Sequence, residues 1–169
     1  TMGDSLGVKS QFQRRCAMYA KVDLYNFVAG GNISALQSKL KEGNYDMVIV
    51  GVHKNSEAYR LALSSLVKNV ENVSVAMFVN PYKIAPFASS IKQSAAMLVA
   101  YDNNEIAQDC AAQTIFGGNA ASATLPVTIE GVAKAGHGIS YDAIRLGYAL
   151  PEEVGVDSKL LTKVDSIAK

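Results

Sequence analysis

Three short apolar runs in the middle of the chain limit what it can fold into. They are residues 47–52 (MVIVGV), 73–79 (VSVAMFV) and 96–101 (AMLVAY). Each is followed by a polar break, HKNSE, NPY or DNNE, and then by a stretch with helical spacing. Runs this short, rich in β-branched residues and apolar on both faces, suit central strands of a parallel sheet covered by helices. Ligands of such sheets sit at the carboxyl ends of the strands, which here means the three breaks.

The flanking segments extend the alternation. Phe12, Cys16 and Tyr19 repeat at helical spacing, so residues 10–20 read as an amphipathic helix. Residues 22–28 (VDLYNFV) read as a strand. Asn32 is a good N-cap for a helix carrying Ile33, Leu36 and Leu40 and ending at Gly43. After residue 52, Asn55 or Ser56 caps a helix burying Ala58, Leu61, Ala62 and Leu66, with Tyr59, Arg60 and Lys68 outside. Asn80 and Pro81 open a helix that Pro86 keeps short or broken. Asp102 and Glu105 have capping-box spacing for a helix burying Ile106, Ala107, Cys110, Ala111 and Ile115, stopped by Gly117-Gly118. Residues 125–129 (LPVTI) read as an edge strand, because Pro126 has no N–H to donate. The expectation is an α/β fold: a three-layer αβα sandwich with a mostly parallel sheet of about five strands.

Two ends depart from this regularity. Residues 1–5 (TMGDS) look like the end of a strand running into a turn, as if an upstream piece were missing. Residues 130–148 are rich in Gly and Ala without a sustained period and read as coil and linker. Asp157 then caps an amphipathic helix with Leu160, Leu161, Val164, Ile167 and Ala168 on one side, which reads as the opening of another domain. The domain expectation is therefore a sandwich over 1–130, a linker over 131–150 and the start of a following domain over 151–169.

The 169 residues carry 49% apolar and 18% charged side chains, which excludes disorder. A net charge of +1 with scattered basic residues, of which only Arg14 and Arg15 are adjacent, argues against nucleic-acid binding. No apolar run approaches the length of a membrane span, and no signal-peptide pattern opens the chain. Cys16 and Cys110 both fall on apolar helix stripes and read as small buried hydrophobes. No metal or cofactor is implied.

Catalytic motifs find bland explanations. S-x-x-K occurs at Ser38–Lys41, Ser65–Lys68 and Ser89–Lys92, without the S-D-N or K-T-G partners that give the motif chemistry. His137 lies between glycines in coil. No G-x-S-x-G, G-x-G-x-x-G or P-loop occurs. Two sequons, at Asn32 and Asn72, lie at element starts. Glu57, Asp102 and Glu105 are the carboxylates at strand ends, and helix capping or the helix dipole accounts for each. The candidate binding or interdomain surface is thus His53, Lys54, Asn55, Asn80, Tyr82, Tyr101 and Asp102. Of these, capping leaves His53, Lys54, Tyr82 and Tyr101 unexplained.

Several of these segments, taken in order, resemble one family. Asn80-Pro81-Tyr82 follows a strand. Tyr101-Asp102-Asn103 is followed by Glu105 and Ala107-Gln108, then by a helix end at 111–117 and by LPVTI. Tyr45-Asp46 precedes the run at 47–52. This pattern, over about residues 3–129, resembles the C-terminal α/β sandwich domain of family 3 glycoside hydrolases, with Ala123-Thr124 before LPV as a small departure. The tail PEEVGVDSKLLTKVDSIAK looks like the opening of a β-lactamase/esterase-type serine hydrolase domain, as found after the sandwich in some β-N-acetylglucosaminidase-like members. The resemblance implies an accessory domain, inactive alone, in an exported or periplasmic bacterial protein. Its partners would be a catalytic barrel, a downstream serine hydrolase-like domain and carbohydrate. No catalytic residue carries over. An independent flavodoxin-like small-ligand domain, or an enzyme using Glu57 or Asp102, are the competing readings.

Overall fold

The computed structural model describes residues 1–2 and 9–167. The turn expected at 3–5 and the last apolar position, Ala168, lie outside the described residues. Among the described residues the chain is a mixed α/β fold around a three-stranded parallel sheet: β1 (Val48–Val52), β2 (Val73–Met77) and β3 (Ala96–Val99), in that order. β2 is central and buried along its whole length. β3 is an edge strand with Ala96 exposed, so it is not the fully covered strand its apolar run suggested. β2 alternates strictly. Val75 and Met77 face the main apolar cluster, with Leu63, Leu66 and Phe87, while Ala76 faces a second cluster with Phe12, Cys16 and Ala111.

The helices cover those two faces. On the second cluster lie α1 (Gln11–Tyr19) and α5 (Glu105–Phe116); on the main one lie α2 (Ile33–Glu42), α3 (Glu57–Asn69) and the short α4 (Ala88–Ile91). Ser10, Asn32 and Ser56 cap α1, α2 and α3. The Pro81–Pro86 segment is two 3-10 turns, Pro81–Lys83 and Ala85–Phe87, before α4, the broken helix the prolines dictate. Among the described residues no helix is long and apolar enough to cross a membrane.

Two helix faces differ from expectation. α3 buries Tyr59, Ala62, Leu63 and Leu66, and leaves Leu61 outside. Tyr59 turns in because its ring meets Phe27 edge-on at 6.4 Å. α5 buries Gln108, Ala111, Ala112 and Gln113, and exposes Ile106 and Cys110. Small and amide residues face inward there because α1 packs close and needs polar ties. Cys16 is buried, and desolvation pushes its thiol up to about 12. A thiol reagent is therefore expected to label Cys110 alone in the native protein and both cysteines after denaturation. Two fast-reacting native thiols would contradict this packing.

Among the described residues, neither outer strand forms as a strand. Of residues 22–28, only Phe27 among the described residues joins the sheet, through a parallel bridge to Met2, which also bridges Val52. Met2 thus sits, 2% exposed, between Phe27 and β1. Beside it, between β1 and residues 21–25, lies an apolar cavity of about 170 Å³. Residues 125–129 form no ladder with the sheet. Leu125 and Ile129 are buried in the main cluster, but their backbone pairs with the chain that follows. Ala121 bridges Tyr141, Leu125 N–H donates to His137, and Ile129 bridges Ala133, all in one antiparallel register. The coil after residue 130 is thus the return limb of an irregular hairpin. It carries no regular strand because Gly136 and Gly138 interrupt it. At Gly138 a Cβ would lie 2.6 Å from the Ala123 carbonyl oxygen, so only glycine lets the limbs close. Beyond it, Tyr148 docks against α1 and α5, a 3-10 turn (Pro151–Val154) follows, and α6 (Ser158–Ile167) leaves Leu160, Leu161, Val164 and Ile167 exposed.

Candidate functional site

Val52, Met77 and Val99 stand in one register across the sheet, so the three polar breaks leave it at one edge. In the first break His53 is 4% exposed. Its ring lies flat on Phe78, with centroids 4.6 Å apart and planes 11° off parallel. Its Nδ1 is 2.6 Å from Asn103 Oδ1. That carbonyl also accepts from Gln108 Nε2 at 2.9 Å, and Gln108 Oε1 accepts from the Phe12 amide at 3.2 Å. His53 therefore braces β1 against the third break, α5 and the start of α1. It lies beneath the surface rather than on it. Gln108 and Asn103 were not among the candidate site residues read from the sequence. An amide on the inward face of α5 was the available signal, because buried amides demand partners.

Lys54 is exposed. Asn55 clips two breaks together: its Nδ2 donates to the Lys83 carbonyl at 3.0 Å and its Oδ1 accepts from Arg60 at 2.9 Å. Asn80 caps its 3-10 turn by accepting from the Tyr82 amide at 3.0 Å. Tyr82 is 75% exposed. Tyr101 is 40% exposed and adopts φ +64°, a left-handed conformation rare for a bulky residue.

Asp102 does not cap α5. It accepts from the Asn103 amide and from Asn104 Nδ2, both at 2.7 Å, and so fixes Asn104, whose own Oδ1 takes the Ala107 amide at 2.8 Å. The cap has moved two residues along, because the left-handed Tyr101 turns the chain before the helix begins. Glu57 and Glu105 occupy first turns, exposed, where a carboxylate suits the dipole.

The seven sequence candidates thus separate. His53, Asn55 and Asn80 hold the breaks in place. Lys54, Tyr82, Tyr101 and Asp102 face outward from the same sheet edge. The exposed four supply a cation, two phenols and a carboxylate, a set suited to hydrogen bonding and stacking. The 170 Å³ cavity touches none of the seven. Among the described residues no group of three or more His, Cys, Asp or Glu side chains is placed to hold a metal.

Comparison with family models, with curated proteins and with solved structures finds no match to the chain.

Proposed function

We propose that the chain is an accessory domain of a multidomain glycoside hydrolase of the family 3 type, one that sets its strand-end edge against a catalytic barrel and lines a carbohydrate cleft. The reading includes a three-layer sandwich with five strand positions, in the order Phe27, Met2, β1, β2, β3. It also takes residues 131–150 as the connection and 151–169 as the start of a serine hydrolase-type domain, whose first helix would find in that domain a cover for its apolar side.

The observation that supports it best is Tyr101. A left-handed non-glycine residue costs about 1 kcal/mol or more. Holding a half-exposed tyrosine there, at the same end of the sheet as the 75%-exposed Tyr82, makes sense if the side chains are wanted at the surface. Phenol rings offer an apolar face for stacking and a hydroxyl for hydrogen bonding, which suits sugars.

The isolated chain is expected to leave aryl glycosides intact. In a protein that carries the barrel, Tyr82→Ala and Tyr101→Gly should each raise KM by about five- to tenfold, the loss of one aromatic contact. Tyr101→Gly should at the same time gain about 0.5–1 kcal/mol in thermal unfolding, since glycine relieves the backbone. Unchanged kinetics in both variants would sink the cleft reading. Hydrolysis by the isolated chain would instead favour Glu57 or Asp102 as catalytic groups.

One observation favours the flavodoxin-like reading. The order Phe27, Met2, β1, β2, β3 is the 2-1-3-4-5 order of that architecture, and its switch point falls between Met2 and β1, beside His53. Titration with nucleotides and with sugars separates the two readings: tight nucleotide binding alone would favour this one.

A further inference from the structure

β3 closes one side of the sheet with its outer backbone open. β2 turns the groups of Ser74 and Ala76 towards β1, in step with the Phe78 amide on the Val52 carbonyl, so those of Val73, Val75 and Met77 reach β3. On β3 the register then gives Ala96 and Leu98 to β2, followed by the Ala100 amide on the Met77 carbonyl at 3.0 Å. Alternation aims the N–H and C=O of Met97 and Val99 the other way. Among the described residues nothing pairs with these four groups.

Open edges are commonly blunted by a charge, a proline or a bulge. Here the register runs unbroken, and neither a charge nor a proline lies between Lys92 and Asp102. Met97 and Val99 pack on the main cluster, Leu98 and Ala100 on the second, and all four stay half-buried. A further strand would continue both apolar layers. The chain's own LPVTI segment is otherwise engaged: Leu125 and Ile129 exchange backbone bonds with residues 133–137.

The edge is complementary to itself. Around Leu98 the sequence Ala96-Met97-Leu98-Val99-Ala100 has residues of matching size at equal distances on either side. Antiparallel pairing of two copies about Leu98 sets Leu98 on Leu98, Met97 on Val99 and Ala96 on Ala100. The outward groups of Met97 and Val99 then close four hydrogen bonds across a two-fold axis. Charge selects the same direction. Exposed Lys92 stands at the amino end of β3 and exposed Asp102 at its carboxyl end. Antiparallel pairing puts the cation of each copy at the same end of the joined edge as the anion of the other, whereas parallel pairing sets like against like.

We propose that the outer edge of β3 is a homodimerisation edge, which joins two copies of this chain through an antiparallel β3–β3 ladder centred on Leu98. The contact is small, so the dimer is weak and reversible, with a dissociation constant on the order of 0.1 mM.

Two measurements on the full chain test this. In sedimentation equilibrium the mass should rise towards that of a dimer as concentration approaches about 1 mM. Met97→Pro removes an N–H that points away from β2, so it should hold the chain monomeric while circular dichroism shows it folded. Met97→Ala keeps that N–H while shortening the side chain, and should still dimerise. A native chain that stays monomeric throughout, or a folded Met97→Pro variant that dimerises like the native chain, overturns the proposal. The second measurement reads the register. With Cys110→Ser as background, chains carrying Ala96→Cys are mixed with chains carrying Ala100→Cys and oxidised. Directly opposed residues of a non-hydrogen-bonded pair lie close enough for a disulfide. The mixed pair should therefore cross-link at least about tenfold faster than either variant with itself. Faster 96–96 and 100–100 cross-linking would overturn the antiparallel ladder, and equal slow rates in all three combinations would place any dimer contact elsewhere.

Discussion

Phe78→Ala is expected to lower stability by about 3–5 kcal/mol, the cost of emptying a large buried ring site. Phe78 is 2% exposed and follows β2 directly, its amide bonded to the Val52 carbonyl at 2.9 Å. It meets Phe12 edge-on at 5.1 Å and carries the His53 ring on its face. Truncation removes the contact that joins α1 to the sheet and the support under His53 together. The His53–Asn103–Gln108 chain should loosen as a result, since its first member would lose its fixed plane. Urea titration measures the stability loss, and the ring-proton NMR shifts of His53 report the release. Leu61→Ala provides the control. It removes a similar apolar side chain, but one that is 65% exposed, and should change stability by less than about 0.5 kcal/mol. Comparable losses from the two variants would mean that the apolar core is not where the structure puts it.

Gln113→Leu is expected to cost about 2–4 kcal/mol and to release the chain around Tyr148. Gln113 is 4% exposed and fully used. Its Nε2 donates to Asp109 at 2.7 Å and to the Tyr148 carbonyl at 3.0 Å, while its Oε1 accepts from the Tyr148 amide at 2.7 Å and from the Tyr19 hydroxyl at 3.3 Å. Leucine keeps the volume and strands both backbone groups of Tyr148. Around this point Arg15 lies over the Tyr148 ring at 4.4 Å, Tyr19 stacks on Phe116 at 5.4 Å, and the Tyr148 hydroxyl donates to the Met18 carbonyl at 3.2 Å. Limited proteolysis should cut residues 142–150 roughly tenfold faster in the variant. An unchanged cleavage rate would show that Tyr148 does not depend on this amide.

The same cluster sets an acid limit. Burial alone would raise the Asp109 carboxyl, but hydrogen bonds from Arg15 at 2.6 Å, Gln11 at 2.9 Å and Gln113 outweigh it and hold it below its ordinary 3.8. A depressed carboxyl stabilises the fold above its unfolded value, and that contribution fades as pH falls through the lower folded value. Stability should therefore drop below about pH 3.8 in the native chain, measured by unfolding at stepped pH. In Gln113→Leu one of the three bonds is gone, so the folded value rises towards the unfolded one and the acid-dependent loss shrinks.

The elements legible in the sequence were those with a local cause. β-branched runs gave β1 to β3 within two residues, and Asn32, Ser56, Asn80 and the two prolines placed their turns. What was not legible depended on neighbours. Residues 22–28 have the pattern of a strand, but among the described residues Phe27 alone bridges to the sheet. LPVTI carries apolar residues that the core does bury, and apolarity reports burial without saying what the backbone pairs with. In α3 and α5 the inward face was displaced by about one residue position, because Tyr59 finds Phe27 and Gln108 finds Asn103. At the site, exposure of Tyr82 and Tyr101 agreed with their not being needed as caps. A histidine at a strand end is equally consistent with a ligand group and with a buried brace, and the Phe78 ring on which His53 stacks lies 25 positions away, beyond the reach of local pattern.

The clamp on Tyr148 also shortens a leash. Just Ala149 and Leu150 separate it from the 3-10 turn at Pro151, and two residues reach about 7 Å at full stretch. With Tyr148 fixed to α1 and α5, α6 cannot wander far from the body of the protein. Any surface that meets its apolar side from within the same molecule does so at an effective concentration on the order of millimolar. A contact too weak to hold two separate proteins together would then be enough to seat that helix.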